Sequence, residues 1–162
     1  MAFFMASPNT DGITEHGGTS DCGTVFKLDQ KGTMTMVHSF IGPVSIESPA
    51  LIINNSILYG TTYFGGTSGH GTVFKMENIG NLSVLYNFTG QEGANPSLGL
   101  IMDNGILYGI TERGGTSDCG TVFKLDMSGN FAAIYNFKGP PEGATSSGMI
   151  TDKDLLYGIN PP

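Results

Sequence analysis

Tryptophan is absent from this chain, cysteine occurs twice, and only 13% of the 162 residues are charged. That charge content is about half the usual globular share. Of the charged residues 14 are acidic and 7 basic, for a net charge of −7. Nucleic-acid binding calls for a basic stripe, and none is present, so no nucleic-acid partner is expected. The acidity chiefly favours solubility. No apolar run approaches the roughly 18 residues of a membrane helix, so no membrane span is expected. The opening Met1-Ala-Phe-Phe-Met-Ala-Ser7 is apolar but short and lacks the basic start of a secretory leader. Residues 1–11 are therefore read as a disordered or truncated tail. Cys22 and Cys119 have no second cysteine nearby, which excludes a zinc-type spacing.

Glycine, by contrast, is abundant at 25 residues, and apolar residues make up 39%. Glycine with Thr, Ser and Asn favours tight turns and strands over helices. Apolar runs recur throughout, so the chain is not disordered.

The recurrence has a period. Gly17-Gly-Thr-Ser-Asp-Cys-Gly-Thr-Val-Phe-Lys-Leu-Asp29 returns unchanged as Gly114 through Asp126, with a degraded copy from Gly65 to Glu77 between them. Leu-Tyr-Gly recurs at Leu58, Leu107 and Leu156, and Phe-x-Gly at Phe40, Phe88 and Phe137. All three markers keep a spacing of 48 or 49 residues. A period of this length signals a solenoid, a propeller or a similar array.

Each copy holds four strand-like runs. In the third copy they are Leu98 to Asp103, Ile106 to Glu112, Gly120 to Asp126 and Asn130 to Phe137. Asn104-Gly105 and Met127-Ser128-Gly129 supply turns. Apolar residues alternate with period two: Thr121, Phe123 and Leu125 share one face, and Leu82, Val84, Tyr86 and Phe88 are expected to share another. Both faces are apolar enough to be covered by neighbouring sheets, as in a propeller blade. The fold class expected is all-β, with about three four-stranded antiparallel propeller-type blades over residues 12–162 and 13 strands in total. The first copy begins at its second strand and the last stops after its second. Closed propellers have roughly 4–8 blades. The expected architecture is thus a partial β-propeller, or one completed by oligomerisation, with apolar end sheets that favour self-association or additional blades. Equivalent cysteines two blades apart lie beyond the ~7 Å Cα limit of a disulfide, so both are read as free thiols.

Leu-Tyr-Gly, a Gly-Gly loop, Gly-Thr-Val-Phe-Lys-Leu-Asp and Tyr-Asn-Phe-x-Gly together resemble the GloVer (Gloeo/Verruco) tandem repeat. The resemblance covers roughly residues 12 to 160. It implies a propeller-like fold and an extracellular or cell-surface setting in bacteria, and it implies no catalytic residues. Kelch repeats have a similar length and paired glycines, but the missing Trp argues against them, and no Trp-Asp pair supports a WD40 repeat.

The Gly-Gly loops, Gly17 to Cys22, Gly65 to His70 and Gly114 to Cys119, are the richest polar feature. Asp21, Cys22, His70, Asp118 and Cys119 are the candidate ligand-facing residues. The competing reading is that glycine supplies positive φ to a tight connection, which Asp and Ser close through backbone bonds. One Asp per loop is thin for calcium. No strand-to-helix pattern supports a phosphate cradle. No catalytic residue, metal or cofactor is assigned. His16, His38 and His70 fall at three repeat phases with no identifiable carboxylate partner. Glu15 and Glu112 are equivalent, but the middle copy has Tyr63 there; Glu92 and Glu142 lie in the long links. Tyr59, Tyr108 and Tyr157 are read as core, with the following glycine permitting close packing. The sequon patterns at Asn54, Asn81 and Asn87 carry no weight at three residues' length.

The function expected is a non-enzymatic repeat module that presents loops to a protein or glycan. One alternative is a hydrolase or lyase with its site at the centre of a completed propeller, using residues that break the repeat, such as His70 or Glu47. Another is a fragment of a larger repeat protein without independent function.

Overall fold

Each copy of the repeat folds into its own antiparallel sheet, because its alternating apolar runs are separated by tight turns and a Gly-Gly loop that return the chain, and a longer link leads to the next copy. The computed structural model describes residues 10–42, 44, 51–77, 80–140, 149–152 and 155–158, with backbone alone for residues 10–12. The first sheet has the order β1 (Thr10–Thr14), β2 (Thr24–Leu28), β3 (Met34–Ser39). The second holds β4 (Ile52–Asn54), β5 (Ile57–Thr62), β6 (Thr72–Met76) and β7 (Leu82–Asn87). The third holds β8 (Ala94–Asp103), β9 (Ile106–Arg113), β10 (Thr121–Asp126) and β11 (Phe131–Asn136). A two-stranded hairpin follows, β12 (Met149–Asp152) and β13 (Leu155–Gly158). Within each sheet consecutive strands pair antiparallel, and none of the four sheets closes on itself. The described residues contain 13 strands and no helix. Of the expected tail, residues 1–9 lie outside the described residues, and Thr10 and Asp11 begin β1.

Turn chemistry follows the residues. Asn104 and Gly105 take φ of 48° and 78°, and Asn55 and Ser56 take 48° and 64°. These are the left-handed pairs that a two-residue hairpin needs. At the next turn the Asp126 carboxylate accepts from the backbone N–H of Ser128 and Asn130 at 2.9 Å each. Asp29 does the same for Lys31 and Thr33 at 2.9 and 2.8 Å.

The core lies between sheets. Ile13, Val25 and Phe40 of the first copy meet Leu51, Leu58, Phe74 and Met76 of the second. One repeat later, Tyr59, Val73 and Phe88 meet Leu100, Leu107, Phe123 and Leu125. Phe74, Phe88 and Phe123 are fully buried, and each such ring contributes about 1.5–3 kcal/mol of burial. Ring contacts cross both junctions: Phe40 to Phe74 at 5.8 Å, Phe88 to Phe123 at 5.3 Å, and Tyr86 stacked on Phe131 at 4.3 Å.

Two expectations change. β8 starts at Ala94 rather than Leu98, because Asn95 and Leu98 adopt φ of 56° and 67° and a bulge carries the chain past them. Leu82, Val84, Tyr86 and Phe88 do not share one face. Val73 pairs with Tyr86 and Phe74 with Val84, so Leu85 is an extra residue. The bulge turns Leu82 towards the first sheet and Tyr86 and Phe88 towards the third. The same slip skips Val37 in β3 and Ile134 in β11.

Candidate functional site

The three Gly-Gly loops occupy equivalent positions, between β1 and β2, β5 and β6, and β9 and β10. Each is closed from within: the N–H of Gly23, Gly71 and Gly120 donates to the carbonyl of Gly17, Gly65 and Gly114 at 3.2, 3.0 and 3.1 Å. Each is also bolted to the last strand of its sheet. The N–H of Thr19, Thr67 and Thr116 donates to Ser39 Oγ, Asn87 Oδ1 and Asn136 Oδ1 at 2.9, 3.0 and 3.2 Å. Under each loop a pair of threonine hydroxyls bridges the strands: Thr14 with Thr24 at 3.0 Å, Thr62 with Thr72 and Thr111 with Thr121 at 2.9 Å. What remains outside is the tip: Thr19-Ser20-Asp21, Thr67-Ser68-Gly69 and Thr116-Ser117-Asp118 are all exposed.

The candidate residues divide by role. Asp21 and Asp118 take φ of 56° and 52°, and each carboxylate accepts the N–H of the loop's first glycine at 2.8 Å. Gly69 stands at the equivalent place with φ of 75°. Asp and Gly alternate here because the backbone is left-handed and both tolerate it. The Cys22 thiol donates to the carbonyls of Gly42 and Ser20 at 2.9 and 3.2 Å, and the Cys119 thiol to that of Ser117 at 3.3 Å. Both cysteines are free thiols. In the middle copy the His70 ring lies against Gly90, as Cys119 lies against Gly139. The residue at this phase thus packs over the glycine of its own Phe-x-Gly.

Among the described residues no three His, Cys, Asp or Glu side chains come together as a metal site would require. His16 does have a carboxylate neighbour, contrary to expectation: Asp21 lies 3.9 Å away, both side chains being about four-fifths exposed. A contact that open to water contributes little. His38 packs edge-on against Phe40 at 4.9 Å. Glu47 and Glu142 lie outside the described residues. Tyr59 is buried, Tyr108 half-buried and Tyr157 exposed, so the recurring tyrosine is core only where another copy covers it.

Two polar clusters escape sequence inspection. The Tyr63 hydroxyl donates to Glu112 at 2.7 Å, joining equivalent positions of adjacent copies. The buried Asn95 ties the same corner, donating from Nδ2 to the Tyr63 carbonyl at 3.1 Å and from its N–H to the His70 carbonyl at 2.8 Å. The 49-residue spacing of Tyr63 and Glu112 was the available signal. The second cluster is a knot at Glu92, whose carboxylate accepts from the Thr89 N–H at 2.8 Å, the Thr89 hydroxyl and the Tyr86 hydroxyl at 3.0 Å. Burial alone would raise the pKa of Glu92; the hydrogen bonds from Thr89 and Tyr86 outweigh it and hold the carboxyl below its ordinary range. Burial, and then the hydrogen bond to Glu92 and its charge, push the Tyr86 phenol well above its own.

Stacked sheets of one repeating design, each carrying one recurring loop, define an all-β tandem-repeat protein. The chain belongs to the Gloeobacter/Verrucomicrobia repeat family, whose profile matches residues 6–161. No curated protein matches it. Among solved structures it is similar to a Bacteroides uniformis protein described as a "putative 6-phosphogluconolactonase", with 18% identity and a TM-score of 0.50. The match covers 87% of this chain and 40% of that one, so the chain spans less than half of that protein's length. At that identity the likeness is one of fold alone.

Proposed function

We propose that the chain is a non-enzymatic β-propeller-type repeat module that presents its Gly-Gly loops to a protein or glycan. The observation that carries this reading is the triple recurrence of one rigid loop. Three sets of the same backbone and side-chain bonds hold three exposed Thr-Ser tips in register. Rigid loops lose little entropy on binding, and an array of weak sites gains by multivalency. The polar groups beneath the tips are spent on the loop itself, which favours presentation over catalysis. A glycan and protein array probed with the intact chain tests it. The expected ligand loses binding progressively as Ser20, Ser68 and Ser117 are replaced by Glu, singly and then together. Retained binding in the triple variant would overturn the assignment to these loops.

The rival reading is a hydrolase or lyase acting at the centre of a completed propeller. The fold shared with a protein described as a lactonase is what favours it. Hydrolysis of lactone and ester substrates by the chain, abolished on replacing His70 or Glu47, would decide for it.

A further inference from the structure

The junction between the second and third sheets is a template that the chain repeats at its two open faces. On the second sheet, Tyr59, Val73, Tyr86 and Phe88 are covered by Leu107, Phe123, Leu125 and Phe131 of the third. The third sheet offers the same face one repeat later, as Tyr108, Ile110, Val122, Tyr135 and Phe137. There the hairpin supplies Leu156 where the template has Leu107, but no described residue stands where Phe123, Leu125 and Phe131 would. The consequence is a cavity of about 360 Å³ lined by Val122, Tyr135 and Phe137 together with Leu156, and a second of about 250 Å³ beside Tyr108. Tyr135 is 43% exposed.

The missing residues exist at the other end. Phe26, Leu28 and Met34 of the first sheet are the equivalents of Phe123, Leu125 and Phe131. No described sheet lies in front of them. Phe26 is buried, but Met34 and Met36 are 64% and 55% exposed.

A second, independent register points to the same pairing. At each internal junction a turn glycine of one sheet sits on the carbonyl of the bulged residue in the sheet before it: Gly80 on Val37, and Gly129 on Leu85, where a Cβ would come within 3.2 Å. The next bulged residue, Ile134, is 43% exposed. The remaining turn glycine, Gly32, has φ of 82° and nothing near the place a Cβ would take.

We infer that the β2–β3 face of one copy of this chain docks on the β10–β11 face of a second copy, Met34 against Tyr135 and Gly32 over the Ile134 carbonyl. The contact is head-to-tail, so it closes a ring when two copies meet twice and extends otherwise. It is independent of what the loops bind.

Light scattering of the 162-residue chain over a concentration series tests this, with expected masses above the monomer that fall on dilution. Gly32→Asn keeps a residue that tolerates left-handed φ, and Met34→Asp changes an exposed side chain. Each is expected to weaken association roughly tenfold or more with an unchanged circular-dichroism melt. In a Cys22→Ser/Cys119→Ser background, a short bis-maleimide should join Met34→Cys chains to Tyr135→Cys chains, and should join neither to itself. A monomer at every concentration overturns the inference and leaves the face to another occupant. Association untouched by these variants, or cross-linking of Met34→Cys to itself, overturns it equally.

Discussion

Gly60 shows how much one missing side chain can matter. It lies across from Phe74, as Gly12 lies across from Phe26 and Gly109 from Phe123. A Cβ at Gly60 would come 2.7 Å from Phe74 Cζ and 2.8 Å from Leu51 Cδ2, both buried. The ring fills the space that the glycine leaves, and neither neighbour has room to move. Gly60→Ala is therefore expected to cost about 1–3 kcal/mol by overpacking, read from a urea melt. Asp118 makes the opposite case, since its backbone, not its charge, constrains it. Asp118→Gly reproduces the middle copy's Gly69 and should stay within about 1 kcal/mol of the parent, whereas Asp118→Val forces a β-branched residue to positive φ and should cost at least ~2 kcal/mol. Equal losses for the two variants would contradict this. Glu92 adds a pH dependence. Its folded-state pKa lies below its ordinary value of 4.5, so its contribution is in place above that value and is lost as pH falls through the lower, folded-state one. Melts at decreasing pH should show an acid loss of stability that is smaller in Glu92→Gln.

At the scale of strands, the threonine pairs beneath the loops carry the most exposed risk. Thr111 Oγ1 accepts the Thr121 N–H at 3.0 Å, hydrogen-bonds the Thr121 hydroxyl at 2.9 Å and donates to the Arg113 carbonyl at 3.0 Å, and both threonines are buried. Thr111→Val keeps the shape but strands those partners, at an expected cost of about 1–3 kcal/mol. Because Thr111 and Thr121 share one network, Thr111→Val and Thr121→Val should be non-additive in a double-mutant cycle; simple additivity would remove the pair from the account. The strands themselves could be read from the sequence because turn residues and alternating apolar residues recur together. What could not be read was the outermost strand's bulge. Leu82, Val84, Tyr86 and Phe88 alternate without fault, yet Leu85 is the extra residue that sends two of them to the opposite face. Periodicity records spacing along a strand, whereas the bulge depends on what each face must reach. The start of β8 was hidden for a related reason: Asn95 and Leu98 have left-handed backbones that tertiary contacts impose. At the loops, glycine, Asp and Ser suggested both closure and binding. Their bonds were not decidable without knowing that Ser39, Asn87 and Asn136 lie beside them.

For the whole molecule, sheet-on-sheet burial implies that stability is distributed by neighbours and is not uniform. The second sheet is covered on both faces, by the clusters around Phe74 and Phe88. The first and third sheets are each covered by one neighbouring sheet on one face, and the hairpin leaves cavities against the third. Amide protection should follow this order. The N–H groups of β5, β6, β9 and β10 should exchange only on global unfolding, those of β3 and β11 sooner, and those of β12–β13 soonest, with an opening free energy near zero. Leu156→Ala should then accelerate exchange in the hairpin alone, while Gly60→Ala should accelerate it throughout. Uniform protection across all 13 strands would mean that the sheets unfold as one unit and that pairwise stacking is not the unit of stability. Head-to-tail association would leave its own mark on the same measurement, since it would cover β3 and β11 together and slow both as concentration rises. A rise in one without the other would separate the two faces and count against their being partners.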